Sequence, residues 1–301
     1  MTVEQLNQKF AIPGKVKVVE GKGGFPIVEV TNEKAVAKIS VYSGQVISFK
    51  PAGEPEDLLF LSDKAYYQTG KAIKGGIPIC WPWFGPDPEG KGRASHGFVR
   101  NRMWTILSTE AITSGETKIQ LGMSPSEETL EIWPHQFELV VEVLVGAQLS
   151  VTLITKNTGD NPFSITQALH TYFATGGISQ VRVLGFKNAP FVDKAEGGLE
   201  KTQTGDITIT AETDRIYTDV RPEIVVEDGA MGRRIGITST GSSTAIVWNP
   251  WKEISVKMAD LEDQDYQRFI CVETANAEDE VIEIAPGAEY KMQAVYTIER
   301  S

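Results

Sequence analysis

A chain of 301 residues that is 41% hydrophobic, with 28 glycines and 15 prolines, has a globular composition and enough apolar material for a large core. Its formal charge of −11 excludes non-specific attraction to nucleic acid or to an anionic membrane, both of which need a basic face; a local anion site stays open. The two cysteines, Cys80 and Cys271, stand far apart in apolar stretches, which suits reduced core thiols better than a disulfide or zinc scaffold.

From the N-terminus, MTVEQLNQKF lacks the apolar centre of a signal peptide, and no later apolar run reaches the ~18 residues of a membrane span. The expectation is therefore a cytoplasmic protein without a membrane partner. The first nine residues have the spacing of a short helix. Strand patterning follows in KVKVVE, FPIVEVTN and AVAKISVYSGQVISFKP: alternating, rich in β-branched residues and bounded by Gly, Asn, Asp or Pro. LLFLSDKAY reads as a second short helix. Further strands are expected in FELVVEVLVGAQLSVTLITKNTG, ISQVRVLGF, DITITAETDRIYTDV, RIGITSTGSSTAIVWNP and EYKMQAVYTIE, with a third short helix in MADLEDQDYQRF. No linker, repeat or compositional shift divides the chain. The pattern predicts an all-β protein, one large antiparallel domain over residues 1–301 with a few short helices.

Four stretches bring polar or charged residues to places where strands end on the core: KAIKGGIPICWPWFGP, GRASHGFVRNRMW, QALHTYF and RFICVETANA. In the last, the apolar run Phe269 to Val272 delivers Glu273 into a low-dielectric setting, which raises a carboxyl toward a useful general base. QALHTYF sets His170 between Leu169 and the aromatics Tyr172 and Phe173, where an imidazole can exchange protons near neutrality; it reads as a buried strand. His135, in EIWPHQF, has no such company and reads as a packed histidine. His96 lies beside Gly97, with Arg100 and Arg102 following, so this segment could hold an anion. The run Trp81, Pro82, Trp83, Phe84 is either core or a platform for a sugar face.

Taken together and in this order, KGGIPICWPWFGP, SHGFVRNRMW, ALHTYF, VWNPW and CVETANA resemble the D-hexose-6-phosphate mutarotases of the galactose mutarotase-like superfamily, over roughly residues 20 to 298. The resemblance implies a single twisted antiparallel β-sandwich with the sugar site on its concave face. It implies that His170 is the catalytic acid and Glu273 the catalytic base, and that Asp214, in ETDRIY, binds the sugar. It brings Ser95 and His96 toward the sugar and Arg100 toward its phosphate. One position departs from the family, whose usual Arg-Gly-Gly is Lys74-Gly75-Gly76 here, so Lys74 with Arg100 is the expected phosphate pair and Arg93 or Arg102 the substitute.

Anomer exchange explains the need for both groups. A base takes the proton of the C1 hydroxyl while an acid protonates the ring oxygen; the open aldehyde then rotates about C1–C2 and recloses. The expectation is His170 protonated and Glu273 ionised, on opposite sides of one pocket, with no cofactor and no metal. The expected partner is a small sugar phosphate, and a monomer is favoured. A glycoside hydrolase would need a second carboxylate in an equally apolar strand, and a cupin-like metal enzyme would need clustered imidazoles. A non-catalytic carbohydrate-binding sandwich, or an aldose 1-epimerase acting on unphosphorylated sugars, remains as the alternative.

Overall fold

A computed structural model describes residues 1–221 and 223–300. Two large sheets dominate it. One has nine strands, in the order Ile207–Thr208, Val181–Leu184, Glu223–Asp228, Arg233–Thr240, Glu289–Arg300, Leu149–Asn157, Phe137–Val145, Thr117–Met123 and Thr105–Ala111. The other has eight: Leu199–Thr202, Pro190–Asp193, Thr213–Tyr217, Thr244–Asn249, Phe269–Asn276, Gln167–Leu169 and Ile79–Cys80 in order, with Tyr172–Ala174 also paired to Phe269–Asn276. A four-stranded meander over Val16–Glu20, Pro26–Thr31, Ala35–Ser40 and Gln45–Pro51 adds to them. Ladder pairings are antiparallel throughout, as the alternating pattern predicts.

The alternation has a direct physical result. In Phe137–Val145 the odd-numbered side chains are fully buried and the even-numbered ones are not, so one face enters the core and the other meets water. Phe269–Asn276 differs, because all eight of its residues are buried. Ile270 and Val272 pack in the main core, whereas Phe269, Cys271 and Ala275 belong to smaller clusters on the opposite face. Period two puts Glu273 on that second face with them.

Local differences from the sequence expectation have local causes. The N-terminal helix is present as Val3–Phe10, closed by a capping box between Thr2 and Gln5. LLFLSDKAY is not helical: Asp57 accepts from the backbone of Phe49 and Leu59, and Leu59 and Leu61 bridge to Phe173 and Gly75, which holds the segment extended. MADLEDQDYQRF contains only a 3-10 turn at Asp265–Gln267, where the Asp265 carboxylate captures the Glu262 N–H in a local turn. Helices stand instead at Glu127–Ile132, capped by Ser126, and at Trp251–Ser255. QALHTYF is two strands rather than one, interrupted at His170 and Thr171, where the His170 N–H turns away to Pro78 O at 2.9 Å.

Candidate active site

The second face of the eight-stranded sheet is built row by row from cross-strand register. Asp214 stands opposite Trp248, Trp248 opposite Cys271, and Cys271 opposite Tyr172. In the neighbouring row Ile216 faces Ile246 and Ile246 faces Glu273, with His170 at the strand break beyond it. The side chains of Asp214, Ile216, Ile246, Trp248, Glu273 and His170 line one cavity of about 820 Å³. That is room for a sugar phosphate.

Nδ1 of His170 lies 3.3 Å from Oε1 of Glu273, with the Glu273 side chain 1% exposed and that of His170 10% exposed. The atoms are within ion-pair reach but off a hydrogen-bond line, so His170 Nδ1 and Glu273 Oε2 both stay unpartnered. An unpartnered buried carboxylate and imidazole are costly, and burial acts on both in a predictable sense. It pushes the Glu273 carboxyl well above its ordinary range. It holds the His170 imidazole well below its ordinary value, helped by the neighbouring His96 and by the charges of Arg100 and Lys74.

One expectation is corrected here. His170 and Glu273 do not stand on opposite sides of the pocket: the strand break at His170 and the neighbouring strand Phe269–Asn276 set them side by side on its floor. Burial acts against both charges of the expected ion pair, and the neutral pair holds the same number of protons, differing only in which group carries one.

The imidazole is fixed by aromatics. Tyr172 stacks on it with ring centroids 4.9 Å apart and planes within 8°, and Trp248 meets it edge-on at 5.8 Å. His96 lies 5.9 Å away, centroid to centroid. Its Nδ1 accepts from the Gly85 N–H at 3.2 Å, so its Nε2 is the proton-bearing nitrogen of the neutral ring. Burial, with Arg100 and Lys74 nearby, pushes the His96 imidazole down to about 3. His96 has φ +64° and Gly97 φ +71°; a Cβ at Gly97 would sit 1.8 Å from the Trp81 carbonyl, so only glycine fits there.

Lys74, Ser95 and Arg100 also line the cavity. Arg100 donates from Nη2 to the Ser95 carbonyl at 3.2 Å and, among the described residues, makes no ion pair. Lys74 has a partner, Asp260, with Nζ to Oδ2 at 3.4 Å. The Ser95 hydroxyl donates to the Gly85 carbonyl at 3.0 Å, leaving its lone pairs for a ligand. Asp214, largely desolvated, is raised to about 6. Arg93 and Arg102 are corrected as substitutes. Arg93 is held by Asp87, by Glu89 at 2.8 Å and by the ring of Trp83, and Arg102 pairs with Glu128 at 2.6 Å, both off the cavity lining. Trp81 and Trp83 are core at 0% and 4% exposure, and only Phe84 of that run reaches the cavity. His135 packs against Trp133 and Phe163 away from the site, as a structural histidine does.

Sequence reasoning missed Trp248, Asp260, Lys194 and Glu278. Lys194 and Glu278, paired at 2.8 Å, close the cavity near Asp214. A second cavity of about 560 Å³, between Gly185 and Arg221, shares no lining residue with this one.

Residues 26–297 match the aldose 1-epimerase family. The chain belongs to that family. Among its relatives, a protein of Escherichia coli K12 named "Putative glucose-6-phosphate 1-epimerase" is 36% identical over 83% of each chain. One of Cenchrus ciliaris with the same name is 38% identical, over 85% of this chain and 79% of its own. The crystal structure of a "putative mutarotase" from Salmonella typhimurium superposes over 100% of both chains with TM-score 0.90 at 28% identity. A galactose mutarotase related enzyme of Lactobacillus acidophilus, 13% identical, shares the family fold with TM-score 0.73 over 91% of this chain and 97% of its own. The fold is thus the galactose mutarotase-like β-sandwich that the resemblance implies. No helix among the described residues is long and apolar enough to cross a membrane.

Proposed function

We propose that the chain is a hexose-6-phosphate mutarotase, exchanging the α and β anomers of glucose 6-phosphate and related aldohexose 6-phosphates through ring opening by His170 and Glu273. The observation that carries this reading is the composition of one cavity: an unpartnered His–Glu pair on its floor, with Arg100 and Lys74 on its wall in a chain of net charge −11. The resemblance assigns the family's catalytic acid and base to that pair.

In the forward step, Glu273 as carboxylate removes the O1 proton, the C1–O5 bond breaks, and O5 takes a proton from His170. The open aldehyde then faces neutral His170 and protonated Glu273, the distribution that burial favours. Rotation about C1–C2 presents the other carbonyl face, and the two protons return. Either ring form therefore needs the ionised isomer of the pair. A phosphate dianion beside Arg100 and Lys74 offsets two of the charges that hold the imidazole's proton affinity down, so binding favours protonated His170. His96 and Asp214 offer a ring N–H and a carboxyl to the sugar hydroxyls. The chemistry needs neither metal nor cofactor.

The cation pair favours a phosphorylated sugar over free aldose. A sandwich that only binds carbohydrate would have no use for a buried, unpartnered carboxyl beside an imidazole. We further infer one domain over residues 1–301, since the main core cluster runs from Leu6 to Tyr296, and a cytoplasmic monomer, a setting in which the buried free thiols stay reduced.

Exchange NMR on equilibrated sugars tests the substrate class. Arg100→Met is expected to raise KM for glucose 6-phosphate roughly tenfold or more with a smaller change in kcat, since a contact far from C1 contributes mostly uniform binding. Exchange of free glucose should change little. Equal rates for both sugars in the parent enzyme would favour the unphosphorylated substrate.

A further inference from the structure

The two cations assigned to the phosphate differ in a way that their sequence positions do not reveal. Arg100 has no carboxylate partner among the described residues, whereas Lys74 faces Asp260 at 3.4 Å with both side chains largely buried, 16% and 19% exposed. Ser62, 1% exposed, fixes this pair from behind: its N–H donates to the Lys74 carbonyl at 3.1 Å and its hydroxyl donates to the Asp260 carbonyl at 2.7 Å. The bridge between Leu61 and Gly75 ties the Ser62 segment to that of Lys74. Lysine and aspartate are therefore positioned against each other by backbone contacts that do not depend on a ligand.

We propose that Asp260 determines specificity as a built-in competitor for the phosphate subsite, an anion already paired with Lys74 that an incoming phosphoryl group must displace or tolerate. The proposal rests on the assignment of Lys74 and Arg100 to the phosphate. A dianion reaching Arg100 gains that charge directly. To gain Lys74 it must draw the ammonium away from Asp260 or accept repulsion from the carboxylate. Inorganic phosphate, with no hexose ring to hold it, gets less from this wall than two cations would otherwise give. A hexose phosphate makes up the difference through its hydroxyls, at His96 and Asp214. Asp260 thus keeps small, abundant anions from blocking the site, at some loss of affinity for every phosphorylated ligand.

The opposite role predicts the opposite sign. If Asp260 served to aim Lys74 or to keep it charged, removing the carboxylate would weaken anion binding.

Calorimetric titration of the apo-protein with inorganic phosphate at about pH 8, where the dianion dominates, separates the two. Asp260→Asn and Asp260→Ser are each expected to tighten phosphate binding about two- to fivefold, the worth of a partly exposed ion pair, and to lower KM for glucose 6-phosphate by a similar factor. Unchanged or weaker phosphate binding in both single variants would overturn the proposal. Failure of the parent protein to accelerate anomer exchange would instead sink the mutarotase reading, and the phosphate titration reports on Asp260 independently of that.

Discussion

The 3.3 Å contact between His170 Nδ1 and Glu273 Oε1 fixes the number of protons on the two groups more firmly than their division. Activity should fall when the pair gains a second proton or loses its one. Burial lowers His170, so the acid limb of a kcat/KM profile should lie below the ordinary imidazole value and reflect uptake on His170. Burial raises Glu273, so the alkaline limb should reflect loss from the carboxyl, and Glu273→Gln should remove that limb from the residual rate. A flat profile between about pH 5 and pH 9 with chemistry limiting would contradict the pair. Stopped-flow polarimetry of His170→Asn and Glu273→Gln should each show kcat lowered by about 100- to 10,000-fold, while titration still detects sugar phosphate binding. Both residues were legible in the sequence because an apolar run flanks each, and an ionisable group delivered by such a run is out of place. Their protonation was not legible: it depends on the cross-strand neighbour, on His96, Arg100 and Lys74, and on how far water reaches.

Strands set the geometry, and register decides which residues share a wall. Trp248 sits in VWNPW, a stretch read in sequence only as family likeness; it reaches the cavity because Asp214 and Cys271 flank it on neighbouring strands. Asp260 lies in a segment read as helix, and only its turn conformation brings it to Lys74. The long alternating strands were plain. The Thr105–Ala111 edge strand was not, because Ile106 is its only buried residue and Leu107 is 47% exposed, which erases the alternation. The His96–Gly97 turn supplies a prediction at this scale. Gly97→Ala forces a Cβ into the Trp81 carbonyl and a left-handed φ on alanine. It should cost about 1–3 kcal/mol in chemical denaturation and displace His96, raising KM as well. Unchanged stability and KM would show that the turn has slack that the packing does not suggest.

At the scale of the whole molecule, the chain buries ionisable groups in one cavity, and the cost should appear in its pH dependence. His96 has a folded value of about 3 against an ordinary 6.5, so its pKa is depressed. A depressed group contributes stability that is present above the ordinary value and is lost as pH falls toward the folded one. The unfolded chain takes up a proton there and the folded chain does not. The His96 contribution to stability in thermal unfolding should therefore decline from about pH 6.5 toward pH 3, with the raised carboxyls of Glu273 and Asp214 acting in the opposite direction. His96→Asn, which keeps a residue tolerant of positive φ, should reduce the decline by on the order of 1 kcal/mol. An unaltered slope would mean that His96 is protonated in the folded protein.

The central claim is that one buried proton-sharing pair opens and recloses a sugar phosphate ring. It is tested most directly by following the optical rotation of freshly dissolved α-glucose 6-phosphate with catalytic amounts of the protein and, in parallel, of Glu273→Gln. The prediction is a decay to the same equilibrium rotation as the spontaneous reaction, faster in proportion to the wild-type protein added, and nearly spontaneous with the variant. A decay that the wild-type protein does not accelerate, or that both proteins accelerate equally, would contradict it.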